Sequence, residues 1–170
     1  LEGAGQTIAR GPVAAVVAIK QLGTNGGGFF GPNSAHPFEN PTYWSNVVEN
    51  MAILLIPMAT VWMFGRITKR LRHAAVVFGV MIGLYLTLSS LAMLTEQMPT
   101  AAFRELPVEQ VPNLEGKELR FGGWAGPIWA VSTTSTSNGS VNAMHDSLNP
   151  LTGLLPLVGM WLNVIFGGVG

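Results

Sequence analysis

Cysteine is absent from the 170 residues, and charged side chains are scarce. Without a thiol the chain can form no disulfide, no thiolate zinc site and no cysteine nucleophile. Charged residues make up only 11% of the chain, against about 25% in a soluble domain. Nine basic and nine acidic residues cancel, so no overall field would attract nucleic acid. Because the charge is missing in long blocks, the composition indicates a membrane protein.

Three apolar blocks reach or approach the length of about 20 residues that a membrane-spanning helix needs. Residues 74–95 and 147–170 carry no charge, and residues 50–65 form a shorter charge-free block. We predict three spanning helices: residues 43–66, 73–95 and 150–169. The basic connection at residues 66–72 is expected on the cytoplasmic side, as short basic loops are. Residues 96–121, which are richer in glutamate, are expected outside.

Two further apolar segments, residues 11–22 and 126–134, each open with Gly-Pro and are too short to span a membrane. We predict that both are re-entrant helices. Each runs into small polar residues, at 23–28 and 133–140. Non-helical backbone at membrane depth is tolerated only where protein buries it or it lines a water-filled path. The pattern therefore predicts a lined pathway.

An internal repeat supports this organisation. The pair Asn25-Gly26 recurs as Asn138-Gly139, and the pattern His-x-x-x-Asn-Pro at positions 36–41 recurs, with a slightly smaller offset, at positions 145–150. Such repeats mark pseudo-symmetric parts of transporters. The unit is predicted as an outward helix, a short dipping helix, a loop and an inward helix. The first copy lacks its outward helix, and the chain opens without methionine, so we expect an internal portion of a longer protein.

The glycine-rich loops are the candidate binding site. Rings of backbone carbonyls replace the hydration shell of potassium in channel filters, and glycine reaches the backbone angles that such rings need. Thr24 and either Thr136 or Ser137 could add hydroxyl ligands, and the partly negative ends of the short helices favour a cation. No carboxylate lies in either loop, which favours a monovalent ion. A phosphate-binding loop is excluded because Gly26-Gly27-Gly28 precedes two phenylalanines rather than Gly-Lys-Ser/Thr.

Several ionisable residues lie in or beside the apolar segments. Glu49 lies two turns into the first span and is either interfacial or part of a pathway or helix pair. Lys20 is expected to interact with the dipole at the end of its helix. Glu39 and Asp146 are expected to cap the helices that follow them. The two histidines of the His-x-x-x-Asn-Pro patterns are expected to make structural hydrogen bonds rather than to bind metal.

Several segments resemble the KdpA family, the potassium-binding subunits of the bacterial Kdp potassium-importing ATPase. Residues 23–30 read GTNGGGFF, residues 33–42 read NSAHPFENPT and residues 113–122 read NLEGKELRFG. Residues 143–147 and 165–170 are similar to the family as well. The chain departs from the family pattern at Asn138, usually a small residue, and at Leu162-Asn163, usually Gly-Glu.

The resemblance implies an all-α, potassium-channel-like membrane subunit of four repeats. Residues 1–67 would be the end of the second repeat. Residues 68–170 would be the third, with its outward helix at 73–95, external segment at 96–121 and inward helix at 150–169. The potassium-binding filter residues, including Thr136 from the loop composition, would be Thr24, Asn25, Gly26, Gly27, Gly28, Thr136, Ser137, Asn138 and Gly139.

The implied function is potassium binding and translocation in an ATP-driven, high-affinity importer of the bacterial inner membrane. The subunit would not be an enzyme by itself and would bind potassium but no nucleotide. Its implied partners are a catalytic P-type ATPase subunit, small accessory membrane subunits and lipid, with no nucleic acid. The residues alone leave two alternatives open: a passive cation channel or ion-coupled secondary transporter, and a membrane assembly subunit whose glycine loops only pack helices.

Overall fold

The described part of the chain is all-helical. The computed structural model describes residues 3, 5, 7, 11–99, 105, 113–162 and 165–166. These residues contain no β-strand, and Lys117 and Ala143 form one isolated bridge. The five α-helices are α1 (Val13–Leu22), α2 (Tyr43–Ile67), α3 (Leu71–Glu96), α4 (Gly122–Ser135) and α5 (Pro150–Leu162). Single 3-10 turns at Leu119–Phe121 and His145–Ser147 precede α4 and α5.

Helices α2 and α3 are long and apolar enough to cross a membrane. They have 25 and 26 residues, and at about 1.5 Å per residue each exceeds the roughly 30 Å hydrocarbon core. Most of each helix is unburied within the chain, as expected for surfaces that contact lipid or other helices. The predicted helices at 43–66 and 73–95 are therefore confirmed as helices of spanning length, with ends shifted by one or two residues.

The connection between α2 and α3 is tight. Thr42 begins α2 with a capping box, in which its hydroxyl accepts the N–H of Ser45. At the other end Lys69 adopts a left-handed conformation (φ 55°), and α3 begins two residues later. Gly65 permits this close return, because a Cβ at that position would overlap the side chain of Ala74. The two long helices thus form an antiparallel hairpin with its basic residues at the turn.

The predicted helix at 150–169 is wrong in its extent. Helix α5 is described only for Pro150–Leu162, which is too short to span by itself. Ile165 and Phe166 are not helical, and Phe166 is left-handed (φ 52°). Both side chains are fully buried in the helix core, and turning the backbone inward directs them there. Residues 163–164 and 167–170 of the predicted helix lie outside the described residues.

The two short helices are present, but the second begins earlier than expected. Helix α1 matches the predicted segment. Helix α4 starts at Gly122, so Pro127 lies in its sixth position rather than in its first turn. The additional turn forms because Phe121 and Ala125 are buried and hold it against the rest of the protein. Proline removes one backbone donor inside the helix, and α4 keeps its helical form through Ser135.

Helix α4 lies at the centre of the described structure. Its buried residues are Ala125, Gly126, Pro127, Trp129, Ala130, Val131, Ser132, Thr133 and Ser135. Val131 packs in one apolar cluster with Val61 of α2 and Tyr85 of α3. The Tyr85 hydroxyl also lies 2.8 Å from that of Ser132, which satisfies two buried polar groups. The core therefore supports α4 from several sides and holds the loop that follows it.

Candidate functional site

The first glycine loop, residues 23–28, leaves α1 in an unusual backbone conformation. Thr24, Gly26 and Gly27 have φ angles of 53°, 74° and 86°, whereas Asn25 between them is not left-handed. A positive φ is uncommon for a residue with a side chain. At Gly26 glycine is also required by space, because a Cβ there would overlap the backbone of Asn138.

The second glycine loop, residues 136–140, repeats this conformation in register. Ser137 and Gly139 have φ angles of 54° and 89°, and they occupy the repeat positions that match Thr24 and Gly26. Asn138, like Asn25, is not left-handed. Over these three positions the alternation of left-handed and ordinary residues is therefore the same in both loops, in the alignment that the Asn-Gly repeat predicts. The match ends there, because Gly27 is left-handed and Ser140, at the matching position, is not. Two unrelated turns would not be expected to share this alternation.

The backbone N–H groups of the first loop point back at α1. The amides of Asn25 and Gly26 both donate to the carbonyl of Lys20, at 3.0 and 3.1 Å. In a trans peptide the carbonyl of one residue and the N–H of the next point in opposite directions. The carbonyls of Thr24 and Asn25 therefore point away from the end of the helix.

The second loop has a related hydrogen-bond pattern, in which one of the two acceptors is a hydroxyl instead of a carbonyl. The amide of Asn138 donates to the carbonyl of Thr133 at 2.9 Å, and the amide of Gly139 donates to the Thr133 hydroxyl at 2.9 Å. When the two Asn-Gly pairs are aligned, Thr133 falls opposite Lys20, so the two anchors correspond. By the same geometry the carbonyls of Ser137 and Asn138 point away from α4.

The two loops contact each other directly. The Asn138 side chain donates through Nδ2 to the carbonyl of Lys20 at 3.1 Å, the same oxygen that holds the first loop. The Ser140 hydroxyl donates to Oε1 of Gln21 at 3.0 Å. Asn138 thus joins the second loop to the end of α1. Parts of the chain that are distant in sequence form one continuous polar site.

The remaining predicted site residues have distinct positions. The Thr24 hydroxyl donates to the carbonyl of Gly23 at 2.8 Å. Thr136 is buried, and its hydroxyl donates back to Ser132 in α4 at 2.9 Å. The backbone folds back closely on Gly28, where a Cβ would overlap the carbonyl of Asn33. Thr136 and Gly28 therefore flank the two corresponding stretches rather than repeat their conformation.

A buried polar cluster behind the first loop was not anticipated from the sequence. Lys20 forms an ion pair with Glu39, and Glu39 accepts the backbone N–H groups of Phe29 and Phe30 at 2.7 and 3.1 Å. Glu49 is buried too and accepts from Gln21 at 2.8 Å. The expectation that Glu39 caps α2 was wrong, since Thr42 does so. Of the two interpretations of Glu49, its contact with α1 supports the helix-pairing one.

A second buried ion pair stabilises the connection to α5. Lys117 lies 2.7 Å from Glu96, and Lys117 also donates to the carbonyl of Ser147 at 3.1 Å. Asn149 donates through its side chain to carbonyls at the end of α3, including Met98 at 2.8 Å. Both clusters contain a charged residue in a segment that folding buries, and such a charge needs a partner. That signal was present in the sequence and was missed.

The histidines do not assemble a metal centre in the described part of the chain. No group of three or more potential metal-ligating side chains occurs among those residues. His36 stacks on Phe30 with ring centroids 4.6 Å apart, and its Nδ1 accepts the N–H of Phe38 at 3.1 Å. Burial lowers the pKa of His145 below its ordinary value of 6.5.

Comparison with known proteins identifies the family. The profile of the KdpA family, described as the potassium-transporting ATPase A subunit, matches residues 1–170. The chain belongs to the KdpA family. Among curated KdpA relatives, the potassium-transporting ATPase potassium-binding subunits of Pseudomonas putida and Pseudomonas aeruginosa are 57% and 56% identical to it. The corresponding subunit of Parabacteroides distasonis is 50% identical. Each match covers 100% of this chain and 30% of the relative.

Proposed function

We propose that this chain is part of a subunit that binds and translocates potassium in an ATP-driven, high-affinity importer. Its membership of the KdpA family, whose curated relatives are named potassium-binding subunits, supports the ion and the process. The observation that carries the site is the matched backbone of the two glycine loops. Both turn their N–H groups toward the preceding helix and their carbonyls away from it.

In the proposed mechanism the carbonyls of the two loops replace part of the hydration shell of potassium. The filter residues are Thr24, Asn25, Gly26, Gly27, Gly28, Thr136, Ser137, Asn138 and Gly139. An oxygen-only ligand set suits a hard cation, and the C-terminal ends of α1 and α4 add partial negative charge. Because neither loop contains a carboxylate, binding is weak enough to release a monovalent ion, as conduction requires.

The proposed architecture assigns residues 1–67 to the end of one repeat and residues 68–170 to the next. Helices α1 and α4 are re-entrant, and α2 and α3 cross the bilayer of a bacterial inner membrane. The basic turn at 66–72 is cytoplasmic and the segment 96–121 is external. The lengths of the helices and the recurrence of the loop geometry in the alignment set by the Asn-Gly pairs support this arrangement.

The proposed subunit is non-catalytic. Hydrolysis occurs on a partner, a P-type ATPase subunit, with small accessory membrane subunits completing the complex. Potassium is the bound ion, and this chain binds no nucleotide. The names of the relatives, which describe a potassium-binding subunit of an ATPase, support a division of labour between subunits.

Uptake by cells or vesicles containing the full-length protein in its complex tests the function. Gly26→Asp is expected to weaken rubidium uptake at limiting potassium, since the new side chain would overlap the backbone of Asn138. Gly31→Asp is the matched control, because Gly31 is exposed and has open space around it. Normal uptake by an assembled Gly26→Asp complex would contradict the filter. Uptake that persists without ATP would favour a passive channel instead.

A further inference from the structure

The buried cluster behind the first glycine loop carries an inference that rests on the proposed potassium filter. We propose that Lys20 and Glu39 are positioning residues, whose ion pair holds the backbone of residues 25–30 and thereby sets the discrimination between potassium and sodium. Neither side chain belongs to the filter itself. They act through the backbone that they hold.

Lys20 controls the start of the loop through its main chain. Its carbonyl accepts the amides of Asn25 and Gly26 and the side chain of Asn138. One carbonyl oxygen at the end of α1 thus accepts hydrogen bonds from both glycine loops. The position of this carbonyl depends on how the last turn of α1 is held.

The side chain of Lys20 controls the far end of the same loop. Its ammonium donates to the Ser34 hydroxyl at 2.7 Å, and that hydroxyl donates to the carbonyl of Gly27 at 3.1 Å. The ammonium also pairs with Glu39, which accepts the amides of Phe29 and Phe30. Both ends of the loop are therefore connected to a single residue.

Burial makes this arrangement rigid. Lys20, Glu39 and Ser34 are 4%, 7% and 0% exposed, so water cannot readily replace a lost partner. Gln21 reinforces the cluster by donating to Ser34 at 3.2 Å and to Glu49 at 2.8 Å. A low-dielectric surrounding strengthens a satisfied network and makes an unpaired charge costly.

The second loop is held differently, which makes the ion pair specific to the first. At the position matching Lys20 stands Thr133, whose hydroxyl accepts the amide of Gly139 directly. Another buried ion pair, Lys117 with Glu96, holds the connection before α5 through the carbonyl of Ser147. Lys117 is therefore a matched control. It is a buried lysine paired with a glutamate, but its ammonium donates to the segment before α5 and not to a glycine loop.

The experiment measures rubidium binding to the purified full-length protein in its complex, with potassium and sodium as competitors. Lys20→Met is expected to raise the rubidium concentration for half-saturation about tenfold or more, the equivalent of one hydrogen bond to a charged group. It is also expected to lower the potassium-to-sodium ratio. Ser34→Ala, which keeps the ion pair, is expected to act in the same direction by about threefold. Lys117→Met is expected to leave the ratio within about twofold of the unaltered protein.

An unchanged potassium-to-sodium ratio in an assembled Lys20→Met complex would overturn the proposal. So would an equal fall in the ratio caused by Lys117→Met. If Lys20→Met prevents assembly, Ser34→Ala decides the matter, because an unchanged ratio in that variant also overturns the proposal. Absence of rubidium binding by the unaltered protein would instead reject the proposed function.

Discussion

The contact between the two glycine loops leads to a quantitative prediction for Gly26→Ala. Forcing a residue with a Cβ into the left-handed region costs about 1–2 kcal/mol. The new methyl group would also overlap the carbonyl of Asn138 and lie 2.8 Å from the amide of Ser140. These are backbone atoms and cannot rotate aside, so the two loops must separate.

Separation of the loops would break two hydrogen bonds between the second loop and the end of α1. These are Asn138 Nδ2 to the Lys20 carbonyl at 3.1 Å and the Ser140 hydroxyl to Gln21 at 3.0 Å. Each contributes about 0.5–1.5 kcal/mol. With the backbone strain included, Gly26→Ala is expected to reduce the free energy of unfolding by about 2–5 kcal/mol.

Gly27→Ala is the matched control for this prediction. Gly27 has a similar left-handed backbone (φ 86°), but beyond its chain neighbours no atom lies within 4 Å of the position that its Cβ would occupy. Only the strain of about 1–2 kcal/mol is therefore expected. Thermal unfolding of the purified full-length protein would compare the two variants. Equal melting temperatures would refute the reasoning that the loops are in contact at Gly26.

Three further predictions use single side chains. Asn138→Ala is expected to lower the free energy of unfolding by about 1–3 kcal/mol, because it removes two hydrogen bonds: the buried one to the Lys20 carbonyl and the one that Oδ1 accepts from the Ser140 amide. Chemical denaturation would check this, and an unchanged midpoint would contradict it. Tyr85→Phe is expected to cost about 0.5–1.5 kcal/mol through loss of the bond to Ser132, measured in the same way, with no change arguing against that contact. The pKa of His145 is lowered in the folded protein, so the unfolded chain binds the proton more readily than the folded one, and the free energy of unfolding should fall as pH drops below about 6.5. His145→Gln should make the melting temperature depend less on pH. An identical pH dependence of the melting temperature in the two proteins would contradict the prediction.

Much of the secondary structure could be predicted from the sequence. The charge-free blocks that predict helices at 43–66 and 73–95 correspond to α2 and α3, because a long apolar helix is a local property of length and composition. The end of α5 could not be predicted in this way. Residues 150–169 form one apolar block, yet Ile165 and Phe166 leave the helix to fill the core beside Tyr85.

The candidate site, too, could be predicted only in its local features. Glycine and small polar residues indicated where the loops lie, and the repeat indicated that they correspond. The filter role of these residues stays a prediction. The partners of Lys20 and Glu39 were missed, because sequence spacing showed only that each charge lies near the end of an element.

The sequence by itself determined a helical membrane protein of the KdpA family with two corresponding glycine-rich loops. These features follow from local composition and from motifs that can be recognised without knowledge of the fold. Only the tertiary structure decided that Asn138 reaches the end of α1, that Lys20 pairs with Glu39, and that Lys117 pairs with Glu96. A buried charge or amide needs a hydrogen-bonding or oppositely charged partner, because burying it unpaired costs free energy. Which residue becomes that partner depends on proximity in the folded structure, and position along the chain does not show it.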